Sequence, residues 1–243
     1  MPDDEKKQQK ENETRREFIK RTGVTVGVAA GAVALSGCEK SASIATEGIR
    51  WGFLIDLRKC YGCKACTIAC KSEFNVPLGV WRSWVTEIES EEYPYTKRHF
   101  IPQLCNQCDK SPCVQVCPTG ASFKRDDGIV TVDSNKCIGC KACIAGCPYG
   151  TRFLNPVTKV VEKCDFCIHR VEKGLVPSCV NTCPSHARVF GDLNDPNSEI
   201  SKLIQSNPVQ VLKPEMNTGP RVYYIGLENE IANTIKKPRR RQL

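Results

Sequence analysis

The chain has 243 residues, of which 40% are hydrophobic with cysteine counted and only 7% aromatic. That suits one domain or two small ones and leaves little material for a conventional apolar core. The formal charge of +8 would suit nucleic acid or another acidic partner, a reading that sixteen of the seventeen cysteines argue against.

The first segment reads as an address. Thr14-Arg15-Arg16-Glu17-Phe18-Ile19-Lys20 match the twin-arginine export pattern, with an aromatic two places after the second arginine. The apolar stretch from Gly23 to Leu35 is too short and too glycine-rich to span a membrane, and it shows no polar face. It ends in Leu35-Ser36-Gly37-Cys38, a lipobox-like sequence that would make Cys38 a lipidated N-terminus after cleavage. Without lipidation the same stretch would stay as an uncleaved anchor. Residues 1–38 are expected to be this signal and 39–49 a linker. The expected destination is the periplasm or the outer face of the cytoplasmic membrane. Twin-arginine transport carries folded proteins, so any cofactor must be inserted before export.

The remaining sixteen cysteines form four groups of four. Group one is Cys60, Cys63, Cys66 and Cys70, spaced C-x2-C-x2-C-x3-C. Group two is Cys105, Cys108, Cys113 and Cys117, with a longer middle gap and Pro118 behind it. Group three is Cys137, Cys140, Cys143 and Cys147, with the first spacing and then Pro148. Group four is Cys164, Cys167, Cys179 and Cys183, with an eleven-residue middle gap and then Pro184.

C-x2-C-x2-C-x3-C-P is the run with which bacterial ferredoxins hold a [4Fe–4S] cube through thiolates. Three closely spaced cysteines wrap one side of a cube. The fourth is expected to start a helix that leaves the cluster, and in two-cluster ferredoxins it ligates the neighbouring cube. The trailing proline turns the chain away. Four groups predict four cubes, about 16 Fe per chain.

Three other cysteine chemistries compete. Disulfides suit an exported chain, but C-x2-C partners lie too close for ordinary structural bridges. A four-cysteine zinc site fits the fourth group taken alone and does not fit the third. A thioredoxin-like dithiol would need a βαβ context that is missing here.

Cube chemistry also accounts for the charge. An oxidised cube with four thiolates carries about −2, so four contribute about −8 against the +8 of the chain. Lys59, Lys64, Lys71, Lys136, Lys141 and Lys163, interleaved with the cysteines, read as charge compensation. The basic run Lys236, Lys237, Arg239, Arg240 and Arg241 reads as a solvated tail, with an anionic lipid surface or partner as the alternative.

Between the groups, Lys59-Cys60-Tyr61-Gly62-Cys63-Lys64-Ala65-Cys66 recurs as Lys136-Cys137-Ile138-Gly139-Cys140-Lys141-Ala142-Cys143, an internal repeat of a ferredoxin unit. Residues 71–104 read as an insertion whose Trp81, Trp84, Tyr93 and Tyr95 shield a cluster from water, with a partner surface as the alternative. Asp126-Asp127-Gly128 before Ile129-Val130-Thr131-Val132-Asp133 predicts a hairpin. Thr151 to Lys163 predicts another, with Asn155-Pro156 at its tip. Asp195-Pro196-Asn197-Ser198 starts a helix over Glu199 to Gln205, and Arg221 to Gly226 reads as a last strand. His99, His169 and His186 read as ordinary polar side chains. His169, two residues after Cys167, is the one placed to tune a cluster by hydrogen bonding.

Taken together, the motifs resemble the four-cluster ferredoxin subunits of the dimethyl sulfoxide reductase superfamily, on the tetrathionate and polysulfide side, with a nitrite-reduction cousin. The resemblance spans about Arg50 to Leu227. It rests on Ile55-Asp56-Leu57-Arg58-Lys59-Cys60, Leu104-Cys105-Asn106-Gln107-Cys108, Cys147-Pro148-Tyr149-Gly150 and Lys163-Cys164-Asp165-Phe166-Cys167. Gly191 to Pro196 and Leu212-Lys213-Pro214-Glu215 extend it.

The resemblance implies an α+β fold, with duplicated ferredoxin-like domains, short hairpins and cluster-binding loops over 50–227 and a basic tail over 228–243. It implies crossed ligation. Cys60, Cys63 and Cys66 would share a cube with Cys183, and Cys164, Cys167 and Cys179 with Cys70. Cys105, Cys108 and Cys113 would take Cys147, and Cys137, Cys140 and Cys143 would take Cys117. The implied role is non-catalytic. Electrons would pass between a quinol-oxidising membrane subunit and an extracytoplasmic molybdopterin reductase for a sulfur oxyanion. The alternative is a quinol-linked ferredoxin of a nitrite-reduction or sulfur-cycle complex with no molybdopterin partner. No nucleic-acid role is implied, and membrane association would come through a partner or lipid.

Overall fold

The computed structural model describes residues 48–92 and 95–234. The expected export signal, Cys38, most of the expected linker and the basic run over 236–241 lie outside the described residues. Strand β1 (Trp51–Asp56) and helix α1 (Ala65–Glu73) come first. Strands β2 (Trp84–Glu92) and β3 (Tyr95–Gln103) follow. Next are α2 (Pro112–Gln115), β4 (Ser122–Lys124), β5 (Val130–Val132) and α3 (Ala142–Ala145). Then come β6 (Phe153–Leu154), β7 (Val161–Glu162), α4 (Ile168–Val171), α5 (Ser178–Asn181) and β8 (Arg188–Asp192). The described chain closes with α6 (Glu199–Ser206), β9 (Val209–Gln210), a 3₁₀ turn (Pro214–Met216), β10 (Val222–Ile225) and α7 (Asn229–Thr234). The mixture is α+β, as expected.

A mixed sheet ordered β8-β1-β10-β9 is the scaffold. β1 lies parallel to β10, with Phe53 opposite Val222 and Ile55 opposite Tyr224, and antiparallel to β8. The run Trp51-Gly52-Phe53-Leu54-Ile55 has no polar side chain, as suits a strand covered on both faces. Successive side chains of a strand point to opposite faces. Phe53 and Ile55 therefore enter the larger core with Phe166, Val222 and Tyr224, while Leu54 meets Val189, Ile200 and Ile225 on the other side.

Helix α6 covers that second face and begins where Asp195 to Ser198 predict. Its cap is Ser198, whose hydroxyl accepts the Ser201 N–H at 3.3 Å. On the first face the few aromatic residues are concentrated, with Phe166 packed on Phe53 and Phe190 at ring separations of 5.7 and 5.5 Å. The buried Tyr224 hydroxyl donates to the Pro102 carbonyl at 2.9 Å, tying the sheet to β3.

The hairpin expected after Asp126-Asp127-Gly128 forms between β4 and β5, and the one expected over Thr151 to Lys163 forms between β6 and β7. At the tip of the second, the Asn155 side chain accepts the N–H groups of Val157 and Thr158 at 2.8 and 3.2 Å. The strand expected over Arg221 to Gly226 is β10.

Residues 71–104 are more than an insertion. They contain a long antiparallel hairpin, β2 with β3, in which Trp84 faces Gln103 and Glu92 faces Tyr95. Its charged residues, among them Glu87, Glu89 and Arg98, mask the strand pattern. Trp84 is buried, and the Lys71 ammonium lies 4.8 Å from the Trp81 ring. The ring set against the group-one loop is Phe100, which occupies the place that a Cβ on Gly62 would need. Tyr93 lies outside the described residues. The tail drawn from residue 228 is also revised, because α7 buries Ile231 and Ala232 in the main core.

Ile200 is fully buried under the sheet. Ile200→Ala is expected to cost about 2–4 kcal/mol, read as a lower denaturant midpoint of the cluster-loaded protein.

Candidate metal centres

Each cysteine group opens with a C-x2-C loop, and in all four loops the residue before the second cysteine is left-handed. These are Gly62 (φ 75°), Gln107 (φ 46°), Gly139 (φ 68°) and Phe166 (φ 57°). Two loops use glycine, which takes this conformation at no steric cost. A Cβ on Gly139 would stand 2.6 Å from the Lys159 carbonyl oxygen, so the close approach needs glycine as well. The other two loops hold a side chain in a strained backbone, a cost of about 1–3 kcal/mol each. Burial maintains them. Phe166 is locked in the aromatic core, while the Gln107 amide donates to the Cys164 carbonyl at 2.9 Å and accepts the Val130 N–H at 2.8 Å.

The expectation that the fourth cysteine starts a helix is corrected. In every group the helix begins one residue before the third cysteine, at Ala65, Pro112, Ala142 and Ser178. Left-handed Lys64 and Lys141 turn the chain into α1 and α3 directly after the loop. Cys70 lies inside α1, and Cys117, Cys147 and Cys183 lie just past the ends of the other three helices.

The thiols meet across groups. Cys105, Cys108 and Cys113 line one cavity with Cys147, enclosing about 320 Å³ including its mouth. Cys137, Cys140 and Cys143 line a second with Cys117, about 300 Å³. Cys183 lies within electrostatic reach of Cys60 and of Tyr61 in the Cys60–Cys63 loop, and Cys66 within reach of Cys60. Cys70 is likewise close to Cys164, Cys167 and Cys179. All sixteen are free thiols. Among the described residues no three His, Cys, Asp or Glu side chains converge as the ligands of a single ion do. The sulfurs stand around spaces wider than an atom.

Burial, then the proximity of Cys179 and Cys167, pushes the Cys70 thiol up to about 12. Burial likewise takes Cys167 to about 12. It takes Cys108 to about 12 against an opposing hydrogen bond from Thr218. Cys164 is also raised well above the usual thiol range, by burial first and the Cys70 sulfur second. Burial also acts on Cys117 and Cys183, but hydrogen bonds from Ser122 and Thr119, and from Ser185 and Ala187, hold both below the usual thiol range. The Ser122 N–H donates to Cys117 Sγ at 3.3 Å, and the Val161 N–H to Cys137 Sγ at 3.5 Å. Such N–H···S bonds tune iron–sulfur potentials.

Positive charge beside these thiols comes from residues other than most of the lysines expected to supply it. Lys59, Lys64, Lys136 and Lys141 are exposed, and Lys71 donates to the carbonyls of Pro77 and Val80, both at 2.9 Å. Lys163 is buried, its ammonium donating to the carbonyls of Val130 and Cys164. Arg152 is the deepest cation among the described residues, 1% exposed, and Arg188 is 3% exposed, as is Lys163. Both arginines stand five residues after a Cys-Pro cysteine, as Cys147-Pro-Tyr-Gly-Thr-Arg152 and Cys183-Pro-Ser-His-Ala-Arg188, a signal that was present in the sequence.

His169 pairs with Glu73 at 2.7 Å at the surface, and His186 is exposed in a left-handed turn. His99 lies 3.9 Å from Glu228.

The donor set fits iron–sulfur cubes. It offers four soft sulfurs around each of two cavities, and buried N–H groups of Arg152 and Arg188 that lack a protein partner. Residues 59–122 and residues 96–193 each match a 4Fe–4S dicluster domain. The chain therefore belongs to the 4Fe–4S dicluster family and is an iron–sulfur electron-transfer subunit. It is 40% identical to a tetrathionate reductase subunit of Salmonella typhimurium over 89% of each chain. It is 43% identical to Protein NrfC of Escherichia coli, over 87% of this chain and 95% of that one. It is 39% identical to the arsenate respiratory reductase iron–sulfur subunit ArrB of Shewanella, over 73% of this chain and 96% of that one.

Gly139→Ala forces a Cβ toward the Lys159 carbonyl at a positive φ. It is expected to destabilise the group-three loop by about 1–3 kcal/mol and to lower iron retention on dilution, measured by metal analysis against Gly79→Ala, which shares the positive φ (81°) but whose Cβ would meet nothing.

Proposed function

We propose that this chain is a non-catalytic electron wire of four [4Fe–4S] clusters. The first cluster takes Cys60, Cys63, Cys66 and Cys183, and the second takes Cys164, Cys167, Cys179 and Cys70. The third takes Cys105, Cys108, Cys113 and Cys147, and the fourth takes Cys137, Cys140, Cys143 and Cys117. The observation that carries the reading is the meeting of three cysteines of one group with the last cysteine of another around a shared space. Two interleaved halves follow, one built from groups one and four and the other from groups two and three. Sixteen thiolates complete four cubes and leave no iron open for substrate.

When bound, the clusters supply one-electron redox chemistry. The residues of the chain hold them, exclude water and set their potentials. Cys179 lies within electrostatic reach of Cys66, and Gln107 of the third set bonds the Cys164 carbonyl of the second. Arg152 lies close to Cys113 and Cys143, of the third and fourth sets. The wire then runs first, second, third, fourth.

Its ends would serve a quinol-oxidising membrane subunit and an extracytoplasmic molybdopterin reductase acting on tetrathionate, thiosulfate or polysulfide. Support comes from the 40% identity to the Salmonella tetrathionate reductase subunit. The twin-arginine pattern supports export to the outer face of the cytoplasmic membrane, with Cys38 as the lipid-bearing residue. A second reading keeps the wire and replaces the partner with a quinol-linked nitrite-reduction or sulfur-cycle complex lacking molybdopterin. It draws on the equally high similarity to a differently named relative.

Anaerobically purified protein is expected to contain about 16 Fe and as much acid-labile sulfide. Zinc without iron would sink the reading. Cys183→Ser is expected to disturb the cluster of group one, and loss confined to the cube of group four would overturn the crossed ligation. Affinity capture from native membranes separates the two complexes, since a molybdopterin partner in the eluate supports the first and its absence beside a quinone-linked subunit supports the second.

A further inference from the structure

Arg152 and Arg188 are an equivalent pair, one in each half of the wire. Arg152 Nη2 donates to Cys113 Sγ at 3.0 Å and to the Ser122 hydroxyl at 2.8 Å. Its Nε and Nη1, both buried, have no protein acceptor. Arg188 Nη2 reaches the Ser83 hydroxyl at 3.3 Å, and its Nη1 is likewise buried without an acceptor.

Burying a guanidinium costs several kcal/mol unless anions offset it. Among the described residues neither arginine has a carboxylate partner. Burial works against the charge of Arg152, and the sulfurs of Cys113, Cys105 and Cys143 more than offset it. For Arg188, Cys179, Cys66, Tyr224 and Cys183 act the same way. Each arginine therefore stands between two thiol sets, the third and fourth for Arg152, the first and second for Arg188. A structural arginine would satisfy its fork within the protein. These two leave donors over beside the thiols that would hold the cubes.

We infer that Arg152 and Arg188 are matched intercluster cations, each donating its spare N–H groups to sulfide and raising the reduction potentials of the two clusters beside it. The inference rests on the four-cluster reading above. Each step is a one-electron reduction of a cube core from 2+ to 1+. No bond forms or breaks and no proton moves, and the fixed positive charge lowers the energy of the added electron in a medium of low dielectric. A cation shared by two cubes also screens their mutual repulsion. The halves then hold closely spaced potentials, and the electron is not trapped at one site. Both arginines act through the clusters and are positioning residues.

Potentiometric EPR titration of the whole chain tests this. The parent must first show about 16 Fe, since a lower count with fewer redox transitions is the failure of the four-cluster reading and not of this one. Arg152→Gln is expected to lower two of the four transitions by at least the equivalent of tenfold in the reduction equilibrium, about 59 mV for one electron. Arg188→Gln is expected to lower the other two. The inference is overturned if the same transitions move in both variants, or if none moves at full iron content. If a Gln variant loses its iron, Arg152→Lys and Arg188→Lys decide. Retained iron with every transition within about 59 mV of the parent supports the charge, whereas a larger shift, or loss of iron in the Lys variants, makes the fork a packing device and overturns it.

Discussion

Sixteen free thiols gathered in a small chain impose one electrostatic constraint, and the rest of the fold answers to it. Burial makes the thiols poor acids, with Cys70, Cys108 and Cys167 pushed up to about 12. A buried sulfur ring can carry negative charge only where metal and fixed cations offset it. The backbone N–H of Ser122, the guanidinium groups of Arg152 and Arg188 and the ammonium of Lys163 are placed for that purpose, while ordinary ion pairs such as Arg82 with Glu162 and Asp165 brace the loops.

The sheet explains how so few apolar residues suffice. β1 is buried on both faces, so one six-residue strand nucleates the larger core and the smaller one under α6. β8 leads directly from Cys183 through Arg188 into this sheet, and β1 leads out toward Cys60. Segments far apart in the chain are thereby brought side by side at one end of the scaffold. The metal sites complete what the apolar core begins, and the packed body is expected to depend on both.

Much of this was legible in the order of residues. The four groups, the repeated Lys-Cys-x-Gly-Cys-Lys-Ala-Cys loops, both short hairpins, α6 and β10 follow from local rules of spacing, turn chemistry and capping. The long β2–β3 hairpin did not, because its alternation is filled with charges where one face meets solvent, and its Phe100 is a covering residue only by virtue of where the hairpin lies. The helix starts were misplaced because Lys64 and Lys141 adopt a left-handed turn that propensity disfavours outside glycine and asparagine. The Cys-Pro-x-x-x-Arg repeat was visible and carried no meaning until burial showed which cations are enclosed.

The sequence by itself determined the donor chemistry, the number of thiols, their grouping in fours and the membership in the dicluster family, because loop spacing and ligand softness are local properties. Only the tertiary structure decided which cations are enclosed beside the thiols, and it brings Cys147 to the cavity of group two and Cys117 to that of group three. Those are relations between segments that the chain keeps apart, and the sheet brings them together. Gln107 and Phe166 hold strained backbone for the same reason. Their side chains are pinned by Cys164, Val130 and the Phe53 cluster, partners supplied by distant segments.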